Sequence, residues 1–520
     1  MTTSRLLRLR LLLVAVTGTA ATVAVMSLPA GAADSTPVNE GGTPGTARHV
    51  EQVGHEDLSG RGMNAGLALF DHYAYIGNRT DGSAGHASPG VQVVDVQDPA
   101  APAVVGEIGA ELVSGENAGQ TARELRVWPE QGLLMVMYFR CSAAIHDCPP
   151  SPDDYSIRFF DVAADPVNPP LVSTYTPSRK PHEMYLWVDP SDHERALLWM
   201  STPTSSADPN RPNLVIADIS EARSGDFREV ATGNWNHLYP GAQDPANYDR
   251  DLALHSMAPT ADGRTTYLAY LRGHFLALDT SDVADGVAPG ETVDLNDRLL
   301  TRPADRPQWG TSSSGCPSSC AEAHSAVPLP GRPFALTTDE VYGSLTAPSH
   351  GCPWGWSRLI NTAQPERPRI LAEYKIRQND PGFCLSSENT PGTQQANSYA
   401  SHNPTLTRNL ALISWHSGGL QVVDTSDPGA PAQAGWFSPE PLASVVTEDP
   451  ALTGGPNKVA MWSYPIVRDG LIYVVDIRNG LYVLRYTGPR KDELTRLRFL
   501  EGNSNLGDAV RLAHSNGSGG

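Results

Sequence analysis

Four histidines, His182, His255, His324 and His402, are spaced 73, 69 and 78 residues apart. Imidazole nitrogens bind copper, zinc, iron and nickel, so the residue type points to a transition metal. The near-even spacing implies an internal repeat that returns each ring to one place. A metal-bound imidazole usually passes its second ring N–H to a carboxylate or a carbonyl. Glu124 and Glu183 lie close enough in sequence to be those partners. Arg123 is a candidate anchor for an anionic substrate and Trp462 a candidate wall of the same pocket. Each also has a plainer reading: lining histidines with hydrogen bonds, or an ion pair of Arg123 with Glu124 or Glu183. Three or four histidines with an open position would make a reactive centre, and a closed set would make a structural plug. The sequence leaves the choice open between copper, iron and zinc.

The elements that must position these residues are legible in residues 419–431, Gly-Leu-Gln-Val-Val-Asp-Thr-Ser-Asp-Pro-Gly-Ala-Pro. The same unit recurs at residues 90–102 as Gly-Val-Gln-Val-Val-Asp-Val-Gln-Asp-Pro-Ala-Ala-Pro. Weaker copies end in Asp161, Asp218, Asp279 and Asn361, and a last one runs from Gly480 to Leu484 without the Asp-Pro turn. The β-prone run makes a strand, the Asp side chain accepts from turn amides, and Pro fixes φ at the next corner. Two strands precede each unit and one follows it. Four strands in about 60–75 residues make one propeller blade. The blades start at Asn64, Arg123, His182, His255, His324, His402 and Trp462. The last lacks a fourth strand, and residues 49–54 near the other end match one. The expected fold is therefore all-β: a seven-bladed β-propeller over residues 48–487, closed by an N-terminal strand that completes the last blade and leaves no sheet edge exposed. Residues 33–47 read as a flexible lead-in and residues 488–520 as a tail outside the ring.

Residues 90–102 and 419–431 resemble the LVIVD repeat of exported bacterial propellers. Ser401, His402 and Asn403 resemble the segment that opens blades in those proteins, as does the stretch from Trp462 to Pro465. The resemblance is close over residues 60–110 and 400–485 and faint over 120–380. It implies architecture and supplies no activity.

Arg5, Arg8 and Arg10 precede an apolar stretch over residues 11–28, and Ala30-Gly31-Ala32 reads as a cleavage site, so residues 1–32 are expected to be a signal peptide. Its loss takes the formal charge from −19 to −22. That disfavours nucleic acid, which needs a basic face. No later stretch is apolar enough to span a bilayer. The six cysteines, Cys141, Cys148, Cys316, Cys320, Cys352 and Cys384, are an even set in an exported chain and imply disulfides. Cys352–Cys384 and Cys316–Cys320 are the favoured pairings of the last four; a rival is a metal site at Cys316, Cys320 and His324. There is no Gly-x-Ser-x-Gly elbow, no His-Glu-x-x-His and no phosphate-cradling loop. Two functions remain. One is a secreted monomer whose His-lined channel binds a transition metal and oxidises a small molecule. The other is a non-catalytic scaffold that binds an extracellular protein or glycan through its loops.

Overall fold

Asp95, Asp161, Asp218, Asp279, Asn361 and Asp424 each accept a hydrogen bond from a backbone amide two or three residues on, at 2.8–3.1 Å. The repeated Asp thus closes a turn after each third strand, as the sequence pattern requires. In the two full copies Asp98 and Asp427 close a second turn in the same way, on Ala100 and Gly429. Arg223, Arg228 and Arg490 cap three of the repeat carboxylates with ion pairs on the rim.

The structure is a computed structural model. It describes residues 39–80, 88–109, 119–140, 155–239, 252–307, 309, 323–341, 352, 354–387 and 397–514. It is all-β, built from antiparallel meanders arranged in six hydrogen-bonded sheets among the described residues. One sheet joins two meanders, 64–108 and 120–175, through the single pair Asn78 and Ala122. The others run Glu183–Asp189 to Arg228–Gly233, Ala253–Pro259 to His274–Asp279, Ala323–Pro328 to Arg369–Tyr374, Pro404–Leu406 to Ala432–Ser438, and Ile466–Arg468 to Gly480–Tyr486. The first strand of each meander is almost wholly buried, while a last strand such as Leu171–Tyr175 is mostly exposed. The burial gradient fixes which strand faces inward. First strands of successive meanders touch: Asn64–Phe70 meets Gln120–Trp128, and contact continues through Glu183–Asp189, Ala253–Pro259 and Ala323–Pro328 to Pro404–Leu406. Ile466–Arg468 in turn touches Asn64–Phe70. Cores form where sheet faces pack together; Trp187, Trp199, Leu254, Leu268 and Trp415 share the largest.

Val50–Glu56 pairs antiparallel with Gly480–Tyr486, so a strand near the start of the described chain lies on the outer side of the last meander. The lead-in is less loose than the sequence implies. From Asn39 onward it is anchored: Asn39 bonds Lys375 and Arg377, Gly41 accepts from Gln378, and Thr46–Arg48 adds a strand beside Ala432–Ser438. Hydrogen bonds from side-chain amides and from the main chain hold this Gly-rich stretch, and a sequence pattern does not show them.

The stretch after Tyr486 also departs from the expectation of a tail outside the ring. Phe499–Leu500 pairs with Ile466–Arg468, and the chain then crosses to Glu183–Asp189. Asn505 accepts from Val188 N–H at 2.8 Å and donates to Val188 carbonyl at 2.7 Å and to Ala261 carbonyl at 3.2 Å. Glycine is required at 502, where a Cβ would lie 2.1 Å from the Pro404 carbonyl oxygen. Glu501, Asn503, Ser504 and Asn505 are all buried. Asn503 and Asn505 satisfy backbone groups of Leu186 and Val188 on the inner strand that would otherwise be buried without partners, while Ser504 donates to Glu501. Asn505→Ala is therefore expected to cost about 2–4 kcal/mol, because it strands the Val188 amide and carbonyl. Urea unfolding of the variant beside the native chain checks this, and an unchanged midpoint would remove the tail from the fold's support.

Cys352 and Cys384 form the expected disulfide, with Cα atoms 5.5 Å apart. Cys141, Cys148, Cys316 and Cys320 lie outside the described residues, as does the segment 1–38.

Candidate metal centre

In the Gln120–Trp128 strand the pairing register skips Arg123, in Ala253–Pro259 it skips His255, and in Ala323–Pro328 it skips His324. Each of these residues is the extra one of a β-bulge. A bulge re-aims one side chain without ending the strand. His182 and His402 occupy the matching place, where their amides bond Ser201 and Ser414 carbonyls on the neighbouring strand. In the first meander the skipped residues are Ala65 and Gly66. Asn64, beside them, turns to Arg61 and Ile477 instead. Side chains from the bulges meet in one cavity of about 340 Å³, lined by Ala65, Arg79, Arg123, Glu124, Phe139, His182, Glu183, His255, His324, Glu340, His402, Ala451 and Trp462.

The four sequence-derived histidines come together as an arc. Successive ring centroids are 4.6, 4.0 and 4.2 Å apart from His182 through His255 and His324 to His402. His182 Nε2 and His255 Nε2 are 3.0 Å apart. Three overlapping sets have ligand atoms within 4.8 Å of one another and can hold a metal ion: His182, Glu183 and His255; His255, His324 and Glu340; Glu340, His402 and His416. In these sets His402 is grouped with Glu340 and His416, and His182 and His255 are grouped apart from it.

The outer nitrogens are tied off. His255 Nδ1 bonds Ser256 Oγ at 2.9 Å, His324 Nδ1 bonds Ser325 Oγ at 2.8 Å, and His402 Nδ1 bonds the Trp462 carbonyl at 2.8 Å. His416 Nδ1 bonds Ser398 Oγ at 3.0 Å. A proton on Nδ1 of His402, donated to the carbonyl, leaves its Nε2 lone pair toward the interior, which is the arrangement a ligand needs. The expected orienting partners were Glu124 and Glu183; the structure uses serine hydroxyls and a carbonyl. Glu124 is taken up by Arg126 at 3.0 Å. Glu183 stands among the ligand atoms of His182 and His255.

Burial governs the charges. It pushes His182 and His324 well below the usual imidazole range, with His255 adding to both, lowers His255, and brings His402 down to about 3. The rings are therefore neutral, the form that binds metal. Burial would raise Glu340, but the positive charge that His324, His402 or His416 would carry facing it outweighs burial and sets its carboxyl well below the usual carboxylate range. Burial, the neighbouring Glu124 and, more weakly, Glu340 carry Glu183 well above that range.

Arg123 and Trp462 both line the cavity. Arg123 lies over the Phe139 ring at 4.9 Å, and Arg79 over the Trp462 ring at 4.3 Å. Trp462 stacks on His402 and His416, with centroids 4.0 and 5.5 Å away, so it is a wall for the histidine pair as much as for a ligand. Glu340, Arg79 and His416 are not among the residues that the repeat pattern singles out. Each follows the second strand of its meander: Asp339 and Asn78 end theirs, and Ser414 ends the strand before His416. The end of a second strand lies beside the start of the first, so a repeat alignment extended by one strand carries the signal. Trp354 is buried in a small core with Tyr399.

Below the cavity Arg126 is fully buried and donates to Glu124 and to the Leu125 and Met184 carbonyls. The Asn503 amide oxygen accepts from it at 2.9 and 3.0 Å in the orientation that satisfies both residues. The C-terminal stretch thus fills the space between the first strands beneath the histidines. A second cavity, of about 270 Å³, lies against that stretch and is lined by Tyr185, Arg332 and Glu501 among others.

No family model matches the chain, and no curated protein matches it. Among solved structures it is similar to the β-propeller domain of Cps50 (Swd1) from Myceliophteria thermophila, with 9% identity and a TM-score of 0.41 over 81% of this chain and 96% of that one. That likeness is too distant to bear on function. Among the described residues no helix is long and apolar enough to cross a membrane.

Proposed function

We propose that this chain is an exported seven-bladed β-propeller that holds a transition metal at a histidine-lined channel mouth and uses it to oxidise a small molecule. The observation that carries the reading is the set of buried imidazoles whose Nδ1 atoms are already bonded to oxygen while their donor atoms cluster with Glu340. Such tethering holds ligands in place before an ion arrives. The order of the sheets supports it: successive first strands touch, and Val50–Glu56 pairs with Gly480–Tyr486, where a strand completing a last blade would lie. The LVIVD-like repeats agree with that architecture. The leader-like residues 1–32 and the Cys352–Cys384 disulfide support export.

His255, His324 and Glu340 would hold the ion, with His182 beside His255 and His402 adjoining through Glu340. Copper or iron would supply electron transfer there, and zinc would supply only polarisation of a bound oxygen. The residues of the chain do the rest. Arg123 brings a cation to the cavity that suits an anionic small molecule, while Arg79 is held by the buried Asp449 at 3.4 Å. Phe139 and Trp462 give it apolar walls. Glu183, close to His182 and His255 and raised by burial above the usual carboxylate range, would hold a proton beside the bound molecule.

The test is a thermal melt of chelator-treated protein with Cu(II), Fe(II) or Zn(II) added. Metal at a hundred times its Kd should stabilise the native state by about 2.7 kcal/mol. The same addition should leave a His324→Ala variant nearly unchanged. Equal melts with and without every metal would contradict the reading and leave a binding scaffold.

A further inference from the structure

The geometry points to a second cation site beside the first, made by His402, His416 and one oxygen of Glu340, so that the Glu340 carboxylate bridges two metal ions. This inference rests on the proposed metal reading and extends it. Glu340 presents its two oxygens to different histidines. Oε2 lies 3.7 Å from His324 Nε2. Oε1 lies 3.4 Å from His402 Nε2 and 3.3 Å from His416 Nε2. The ligand sets divide the same way: His255, His324 and Glu340 form one, and His402, His416 and Glu340 another. Two ligands of one ion at bond lengths near 2.0–2.1 Å stand at most about 4.2 Å apart, so a single ion does not serve an arc of five rings. Two ions about 3.5–4 Å apart joined by a carboxylate are a known solution.

The second set is built for the task. His402, His416 and Glu340 are 1%, 0% and 7% exposed. The Trp462 carbonyl and the Ser398 hydroxyl hold the outer nitrogens of the two rings, which directs both Nε2 atoms at the same carboxylate oxygen. Trp462 stacks against both rings, nearly parallel to His416 at 5°. His416 has φ of +30°, a conformation that costs a non-glycine residue free energy and that accumulates at functional sites. Imidazole with carboxylate suits a divalent first-row ion such as Zn(II), Fe(II), Mn(II) or Cu(II).

The experiment counts ions. Full-length mature protein is stripped with chelator and titrated with Zn(II), then cleared of free metal by gel filtration and measured for zinc by elemental mass spectrometry. The native chain should carry two equivalents, and His416→Gln and His402→Gln one each, with unchanged circular dichroism. Loading the native chain with Cu(II) should give an electron paramagnetic spectrum broadened by a neighbouring copper, and the His416→Gln variant an unbroadened one. One equivalent in the native chain would overturn the second site and leave the first standing. None would overturn both. Two equivalents retained by both variants would place the second ion elsewhere and overturn the assignment.

Discussion

Alanine at position 324 is expected to weaken transition-metal binding by about a hundredfold or more, since it removes a ligand rather than an outer partner. His324 lies in the set with His255 and Glu340 and is 1% exposed. Its loss takes away a nitrogen that the fold has already paid to aim. Ser325→Ala is the graded companion. It keeps the imidazole and removes only the hydroxyl 2.8 Å from Nδ1, and it should cost about 10–100-fold. Competition titration against a chelator of known affinity measures both. An ordered loss, larger for His324→Ala than for Ser325→Ala, follows if the ring is a ligand and the serine orients it. Equal, small effects would mean that His324 only lines the cavity.

Arg126→Met should destabilise the fold by about 3–5 kcal/mol, the usual result of breaking a buried pair from one side. The guanidinium bonds Glu124, two backbone carbonyls and the Asn503 amide oxygen, and it links the Gln120–Trp128 strand to the C-terminal stretch. Without it Glu124 stays buried next to Glu183 with its neutralising partner gone. The second change Glu124→Leu should restore part of the loss, because the uncompensated carboxyl is then absent as well. Chemical denaturation of the single and double variants reads this directly. A double variant no more stable than Arg126→Met would show that the carbonyl and Asn503 bonds, not the carboxylate, dominate.

Much of the fold was legible because the repeat states its own geometry. The Val-Val-Asp strand ends, the Asp turns and the even placing of His182, His255, His324 and His402 are local signals, and each Asp closes its turn. The bulges that aim Arg123, His255 and His324 are not local signals. A bulge depends on the register with the next strand, which no residue pattern in these segments declares. Glu340 escaped for a related reason: it sits across the meander, one strand later than the repeat position that singles out the histidines. Glu124, expected to orient a histidine, is bonded to the buried Arg126 two residues on, a partner that nearness in sequence does not announce. The closing stretch, rich in Asn, Ser and Gly, has the composition of a loose end. Its polar groups are spent on inner-strand backbone, as the Asn505 bonds to Val188 show, and only the tertiary structure reveals that use.

The most direct measurement of the central claim is the metal content of the mature protein as isolated, by elemental mass spectrometry, beside a His255→Ala/His324→Ala double variant. At least one equivalent of copper, iron or zinc in the native chain, absent from a folded variant, is the result this account requires. No metal in either protein, before or after reconstitution, would contradict it.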